Sequence, residues 1–391
     1  IFKDYLYSRT PDKGFKKSYG RGFFYREPAP FLNELDFNEK LLYRYGVNEL
    51  HIINELKEID YDAAFVTSFL TYWYPATFRI IQILKELHPG KPVFLGGVYP
   101  KLCKEHAIKK SGADFVIFSN FNIDTLKQIA DITGIKTNQN EFTNLSIDLE
   151  EVLDKNFISF PTSLGCPFSC RYCASKFLQP DFVSLLLPDI SIIKNAYERG
   201  TRDIAFLDDA LLYNFSNLKK FISSLKNSGI FFRYHTPNGI HIDIIDKEKV
   251  IFLKKANFKT LRFGLDTLAS SFISSSDKKV KIDKLKTKIG YLKEAGFDKK
   301  EIGFYVLLSP FTTQKIIETT IETLKRLEVN IHLNLFSPIP HTKDFDIIKE
   351  KFPQIENEPL YHNDSVFIRK FNIFPKNWID DLKTFIRKHN A

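Results

Sequence analysis

The sequence predicts an α/β chain with a small doubly wound (Rossmann-like) N-terminal domain, an open (β/α)6 partial TIM-type barrel and a C-terminal helix. Three observations predict it. Short apolar, β-rich runs alternate with helical periodicity over residues 61–135, and the same alternation repeats six times over 156–345. The last stretch is amphipathic with helical spacing. Strands that alternate with helices imply parallel strands joined by crossovers.

The elements follow in order. Residues 1–60 lack a clear period and read as an arm or covering segment, with Gly, Lys, Arg and aromatics between Arg9 and Arg26. "DAAFVTSF", "PVFLGG" and "ADFVIF" are the strands of the first domain. The helix "PATFRIIQILKELH" between the first two opens with Pro75 near its first turn. Residues 136–155 are polar and acidic and form the linker. The barrel strands are "FISFPTSL", "DIAFL", "FFRYHT", "TLRFGL", "EIGFYVLL" and "NIHLNLF". Their starts recur every roughly 25 to 45 residues, as successive βα units require. Residues 346–391 are a helical extension in which "PKNWIDDLKTFIRKHN" reads as a capping helix.

Composition narrows the class. Among 391 residues, 43% are hydrophobic and 26% charged, an ordinary globular balance. No apolar run has the length of a membrane span and no stretch has the order of a secretory signal, so a cytoplasmic protein without membrane partners is expected. The net charge is +9. Lys254, Lys255, Lys284, Lys286 and Lys288 are scattered over predicted helix faces, which favours surface solvation over a nucleic-acid site. The chain begins at Ile1 and holds no Met, which points either to biased composition or to residues upstream of Ile1.

Three of the four cysteines fall within eight residues, a distribution for a metal centre in a reducing compartment and not for a disulfide framework. They lie in "TSLGCPFSCRYCAS", directly after the first barrel strand. Cys166, Cys170 and Cys173 can converge on one 4Fe-4S cube and leave its fourth iron open. A zinc site completed by a distant histidine and a C-x-x-C redox pair are the alternatives; no second knuckle is present, and a redox pair has no use for Cys166. The other strands also end in polar residues: Asp208 and Asp209; His235, Asn238, Gly239 and His241; Asp266 and Thr267; Ser337. In barrels such strand ends share one functional rim. Each carboxylate has an alternative task as a helix N-cap.

C-x-x-x-C-aromatic-x-C after the first strand of a βα repeat resembles the radical S-adenosylmethionine (SAM) superfamily, with Cys166, Cys170, Tyr172 and Cys173 at the motif positions. The resemblance covers about 156–345. It implies a 4Fe-4S cluster held by the three cysteines as metal ligands, and SAM chelating the open iron. It further implies an electron from a reductant such as flavodoxin or ferredoxin, and reductive cleavage to a 5′-deoxyadenosyl radical. By the same resemblance Asp208 or Asp209, with Asp209 favoured, meets the methionyl amine, and Asp266 in "GLDT" meets the ribose. Tyr172 and Arg262 join the SAM site, and His235 and Asn238 are the candidate catalytic residues on the substrate side.

The segment from Val66 to Leu102 resembles the cobalamin-binding domain that precedes many radical SAM domains, through Ser68, Thr71, Gly96 and Gly97. It departs from that pattern in lacking D-x-H-x-x-G and a Gly-Glu loop after "ADFVIF". Elsewhere Ser309-Pro310-Phe311 and His341 stand where relatives often have glycine. Three functions follow. The first is a cobalamin-dependent methyl transfer to an unactivated carbon. The second is a radical SAM reaction without cobalamin on RNA, a peptide or a metabolite. The third is a degenerate, non-catalytic iron-sulfur module. Cys103 is assigned no role, and Tyr72, Trp73 and Tyr74 are expected to pack.

Overall fold

The computed structural model describes residues 26–28, 43–46, 48–120, 123–134, 157–185, 187–266 and 282–391. Most of the expected arm, the linker 136–155 and Thr267 lie outside them. The chain divides into two compact units, one of Ile1–Asn144 with Phe352–Asn363, the other of Leu145–Lys351 with Asp364–Ala391.

In the front unit, β1 (Arg26–Pro28) pairs antiparallel with β2 (Tyr43–Tyr45). The strands β3 (Ala64–Ser68), β4 (Val93–Gly97) and β5 (Phe115–Val116) form a parallel sheet in that order. The strand that would reverse this order, as in a doubly wound sheet, is not among the described residues. The crossover helix Tyr74–Leu87 starts with Pro75, whose missing N–H costs nothing in a first turn. Its apolar face, Ile81 and Leu84, packs with Val93, Leu95, Tyr99 and Ala107 into the unit's core. The segment Phe352–Asn363, expected in the C-terminal extension, contributes a short helix (Gln354–Asn357) and a 3-10 turn (Pro359–His362) to this unit.

In the barrel unit, β6 (Phe157–Phe160), β9 (Asp203–Phe206), β10 (Arg233–His241), β11 (Phe258–Asp266), β12 (Ile302–Leu308) and β13 (Asn330–Leu335) form one parallel sheet in sequential order. A two-stranded ribbon of β7 (Ser163–Leu164) and β8 (Val183–Ser184) lies between the first two. The pleat separates two faces. Along β11, Leu261, Phe263 and Leu265 are buried, while Thr260, Arg262 and Gly264 are half-buried on the other face. Phe263 and Phe304 stack with centroids 5.2 Å apart, and each such buried ring is worth roughly 1.5–3 kcal/mol against exposure.

One strand departs from expectation. "FFRYHT" predicts a strand ending at Thr236, but β10 continues through Pro237, Asn238 and Gly239 to His241. A break in its register against β11 between Thr236 and Ile240 absorbs the proline, as a bulge allows. The expected capping helix is Lys376–Asn390, with Ile379, Leu382 and Ile386 buried. Its Asn390 accepts from Ile331 N (3.0 Å) and donates to Ile331 O (2.7 Å), which satisfies part of β13's outer edge. Among the described residues no helix is long and apolar enough to cross a membrane.

Candidate active site

The cysteine loop is built by local geometry first. The β7–β8 ribbon pinches the chain on either side of it, so residues 165–182 leave the rim as a closed loop. Gly165 enters this loop at φ +81°, and a Cβ there would stand 2.5 Å from the Asp181 carbonyl oxygen. Only glycine fits that approach. Cys166 and Cys170 are half-buried and Cys173 is exposed; all three are free thiols. Burial, the largest cause, pushes the Cys166 thiol up, with Cys173 and Asp209 adding to it. The Ser175 N–H points at Cys173 Sγ at 3.5 Å, a donor of the kind that tunes metal-bound sulfur.

Four strand ends then hold the loop. After β9, Asp208 accepts from Thr162 N (2.9 Å), Thr162 Oγ1 (2.7 Å) and Ser163 Oγ (2.7 Å). At the end of β10, His241 stacks on Phe168 at 4.3 Å between centroids. At the end of β11, Asp266 accepts from the Tyr172 hydroxyl at 2.8 Å, and burial, then this carboxylate, hold that phenol well above its ordinary pKa. After β13, Asp344 pairs with Arg171 Nε at 2.9 Å, and its own N–H donates to Arg171 O. There too, His341 stacks on Phe177 at 3.9 Å, nearly parallel. His341 has φ +65°, so the position where relatives often carry glycine does need left-handed backbone, and a histidine adopts it here.

Several expected site residues have other occupations. Asp208 is 3% exposed and its carboxylate is spent on Thr162 and Ser163, so it braces the loop and does not face a ligand. Asp209 is exposed, and its charge acts on Cys166. His235 is corrected most. Because β10 starts at Arg233, this histidine lies in the lower part of the strand, where Nε2 donates to Asp203 Oδ1 (2.9 Å) and Nδ1 contacts Thr260 Oγ1 (2.8 Å). Asn238 is at the rim, but its amide donates to Leu207 O at 2.8 Å and ties β10 to the end of β9. Arg262 lies four residues below Asp266, about 13 Å at the rise of a parallel strand, and its guanidinium lies against Gly303, its register partner on β12. Arg171, Asp344, Phe168 and Phe177 escape the sequence reading; Arg171 and Phe168 sit among the cysteines, and Phe177 just past them, without belonging to their spacing.

A cavity of about 390 Å³ opens beside the loop, lined by Tyr172, Leu307, Asn334, Phe336 and Ser337, with Lys383 from the C-terminal helix. Its mixed polar and apolar wall suits a nucleoside-sized ligand. The donor set fits a cluster: three thiols within one loop, next to an exposed carboxylate and this cavity. Among the described residues no three Cys, His, Asp or Glu side chains close on a single-ion centre. A cube, whose ligands bind different irons, asks for no such closure.

The residues of the front unit fit their proposed cofactor less well. Ser68 is 2% exposed and donates to Leu70 O at 3.2 Å. Thr71 is buried against His362, whose Nε2 donates to Ile355 O (2.8 Å) while its Nδ1 takes the Thr71 hydroxyl (3.0 Å). Gly97, at φ +98°, is required by β3 itself, since a Cβ there would stand 2.6 Å from Ser68 O. Gly96 alone has open space, its nearest neighbour being Ile117 at 4.0 Å. These side chains serve the unit and do not present a cradle for a macrocycle.

Known proteins agree with this geometry. A family model described as the radical SAM superfamily matches residues 160–324. The chain is 20% identical over 329 residues to the "Uncharacterized methyltransferase PH0819" of Pyrococcus horikoshii, covering 74% of this chain and 69% of that one. The radical S-adenosylmethionine methyltransferase TsrM from Kitasatospora setae, solved with tryptophan and a SAM analogue, has a TM-score of 0.60 at 13% identity over 77% of this chain and 67% of its own. The cobalamin-dependent SAM radical enzyme OxsB, solved with aqua-cobalamin and SAM, has a TM-score of 0.55 at 12% identity over 80% of this chain and 50% of its own, so this chain spans half of that protein. At these identities the structures speak for the fold, while the family model meets the cysteine loop itself. The chain carries a radical SAM domain over residues 160–324 and is an enzyme.

Proposed function

We propose that this enzyme transfers a methyl group to an unactivated carbon, using a 4Fe-4S cluster on Cys166, Cys170 and Cys173 and SAM bound at the rim between Asp209 and Asp266. The observation that carries the cofactor assignment is the rim-held cysteine loop. Methyl transfer rests on the likeness to two proteins named methyltransferases. When bound, a reduced cluster with SAM supplies a 5′-deoxyadenosyl radical able to take hydrogen from carbon. The chain's residues do the rest. The three cysteines would hold the cluster and leave it open to SAM. Asp209, exposed near Cys166, accepts hydrogen bonds from the methionyl ammonium. Asp266, oriented by Tyr172, accepts from the ribose. The electron comes from a flavodoxin or ferredoxin in the cytoplasm, a reading that the free thiols support.

Anaerobic reconstitution is expected to give about four irons and four sulfides per chain and to fall to near zero in Cys170→Ala. A normal iron load in that variant would sink the assignment. Asp209→Asn should weaken SAM binding about tenfold at unchanged iron content, the worth of one charge-assisted hydrogen bond. The substrate radical needs a methyl donor, and cobalamin methylated by a further SAM would supply it; a radical SAM reaction without cobalamin on RNA, a peptide or a metabolite is the second reading. The cobalamin named in the OxsB structure supports the first, and the occupied Ser68 and Thr71 favour the second. The absorption spectrum of purified protein after incubation with hydroxocobalamin and desalting decides between them.

A further inference from the structure

Below the rim, the inner face of the barrel sheet is polar. Asp203, Arg233, His235 and Thr260 form one group, in which the Asp203 carboxylate binds Arg233 Nε at 2.7 Å and His235 at 2.9 Å. One step higher, β11, β12 and β13 bring Arg262, Gly303 and His332 together. A Cβ on Gly303 would stand 2.8 Å from His332 Nε2 and 2.9 Å from an Arg262 guanidinium nitrogen. The two nitrogenous groups therefore converge over a glycine, in space that a larger residue would contest with them. Tyr305 walls this place, its hydroxyl donating to Pro237 O at 2.6 Å and its ring 5.6 Å from that of His332.

Among the described residues no carboxylate is within ion-pair distance of Arg262, and the hydrogen bond its guanidinium makes there is to Leu261 O, at 3.4 Å. Asp203 is taken by Arg233 and His235, and Asp266 by Tyr172. Burial lowers the arginine's pKa, but an arginine stays charged in a protein. A half-buried guanidinium without a partner gives up part of its hydration for nothing, and its fork matches a carboxylate in two parallel hydrogen bonds.

We propose that Arg262 and His332, seated over Gly303, bind a carboxylate of the substrate inside the barrel, beneath the radical-generating rim. The proposal rests on the radical SAM reading for the identity of the ligand as substrate, and not for the existence of the seat. A single guanidinium matches one negative charge, which favours a carboxylate over a doubly charged phosphate.

The test uses the reconstituted enzyme and acetate as the probe. Thermal unfolding is followed in about 0.2 M acetate, chloride or inorganic phosphate at equal ionic strength; acetate is expected to raise Tm by about 3 °C over chloride. Arg262→Gln should abolish that increment, and Arg262→Lys, which keeps the charge without the fork, should retain about half. Each variant is compared with itself in chloride, so a change in its basal stability does not mimic the result. An equal acetate increment in wild type and both variants, or no increment in wild type, overturns the proposal. A larger increment with phosphate overturns it in favour of a phosphorylated substrate. Iron and sulfide content in the same preparation tests the radical SAM reading separately, so the two can fail independently.

Discussion

The strand ends of the barrel and those of the front sheet carry similar residues and put them to different uses. Both sheets are parallel, and both stop in polar or small residues: Asp208, Asp209 and Asp266 in one, Ser68, Thr71, Gly96 and Gly97 in the other. In the barrel, the buried members hold a loop whose own reactive groups face outward. Asp208 is consumed in bracing Thr162 and Ser163, and in return Cys173 and Asp209 remain exposed. In the front unit, the polar groups meet one another and a returning segment of chain. Thr71 binds His362, Tyr74 donates to Glu358 at 2.9 Å, and Tyr99 donates to His106 at 2.6 Å. Polar residues at strand ends therefore mark a site only where something is left over after the fold has been served.

Three experiments bear on this contrast, from the largest expected effect down. Asp208→Ala leaves three buried donors without an acceptor and should destabilise the barrel unit by about 3–5 kcal/mol, with loss of iron on reconstitution. A variant with wild-type Tm and iron content would show that the brace is dispensable. The second is acidification. Burial holds His362 and His106 neutral, with pKa values of about 4, against about 6.5 in the unfolded chain. Between those values the unfolded chain binds protons that the folded front unit refuses. Stability is thus fully present above pH 6.5 and falls as pH drops toward 4, by about 3 kcal/mol for the deeply buried His362. Amide exchange, corrected for intrinsic rates, should accelerate in β3 and β4 before β11 and β12; uniform behaviour of both sheets would break the contrast. Third, His341→Gly removes a left-handed strain and also a ring stack on Phe177, and the two nearly cancel. A Tm change equivalent to less than about 1 kcal/mol is expected, whereas a larger loss would make the stack a principal fastener of the cysteine loop.

The sequence made the barrel legible because each strand is an apolar run at period two, followed by a helix at period 3.6. The cysteines were legible for a different reason: their spacing is itself the chemistry. Asp208 and His235 were misread for a shared reason. A residue next to a strand's end can point into the fold or out of it, and one residue of register decides which. Nothing in "HTPNGIH" announces that β10 runs on through a proline, so the sequence alone puts His235 at a rim that it does not reach. The partnership of Arg171 with Asp344 was beyond reach because it joins residues 173 positions apart. So was the arrangement over Gly303, which requires three strands in register before Arg262 and His332 become neighbours.

The return of Phe352–Asn363 to the front unit has a consequence for modularity. The front unit is not one uninterrupted stretch of polypeptide. It borrows a dozen residues encoded some 200 positions downstream of the end of its main stretch, and His362 among them fills the place beside Thr71. A polypeptide that stops at Asn144 would lack that filling and expose a wet gap where the native unit is closed. Grafting the front unit onto another barrel, or deleting it from this one, therefore means editing two places in the gene. Shuffling at a single boundary, the usual route by which domains are exchanged, would leave one half without its plug and the other carrying a strap with nothing to fasten.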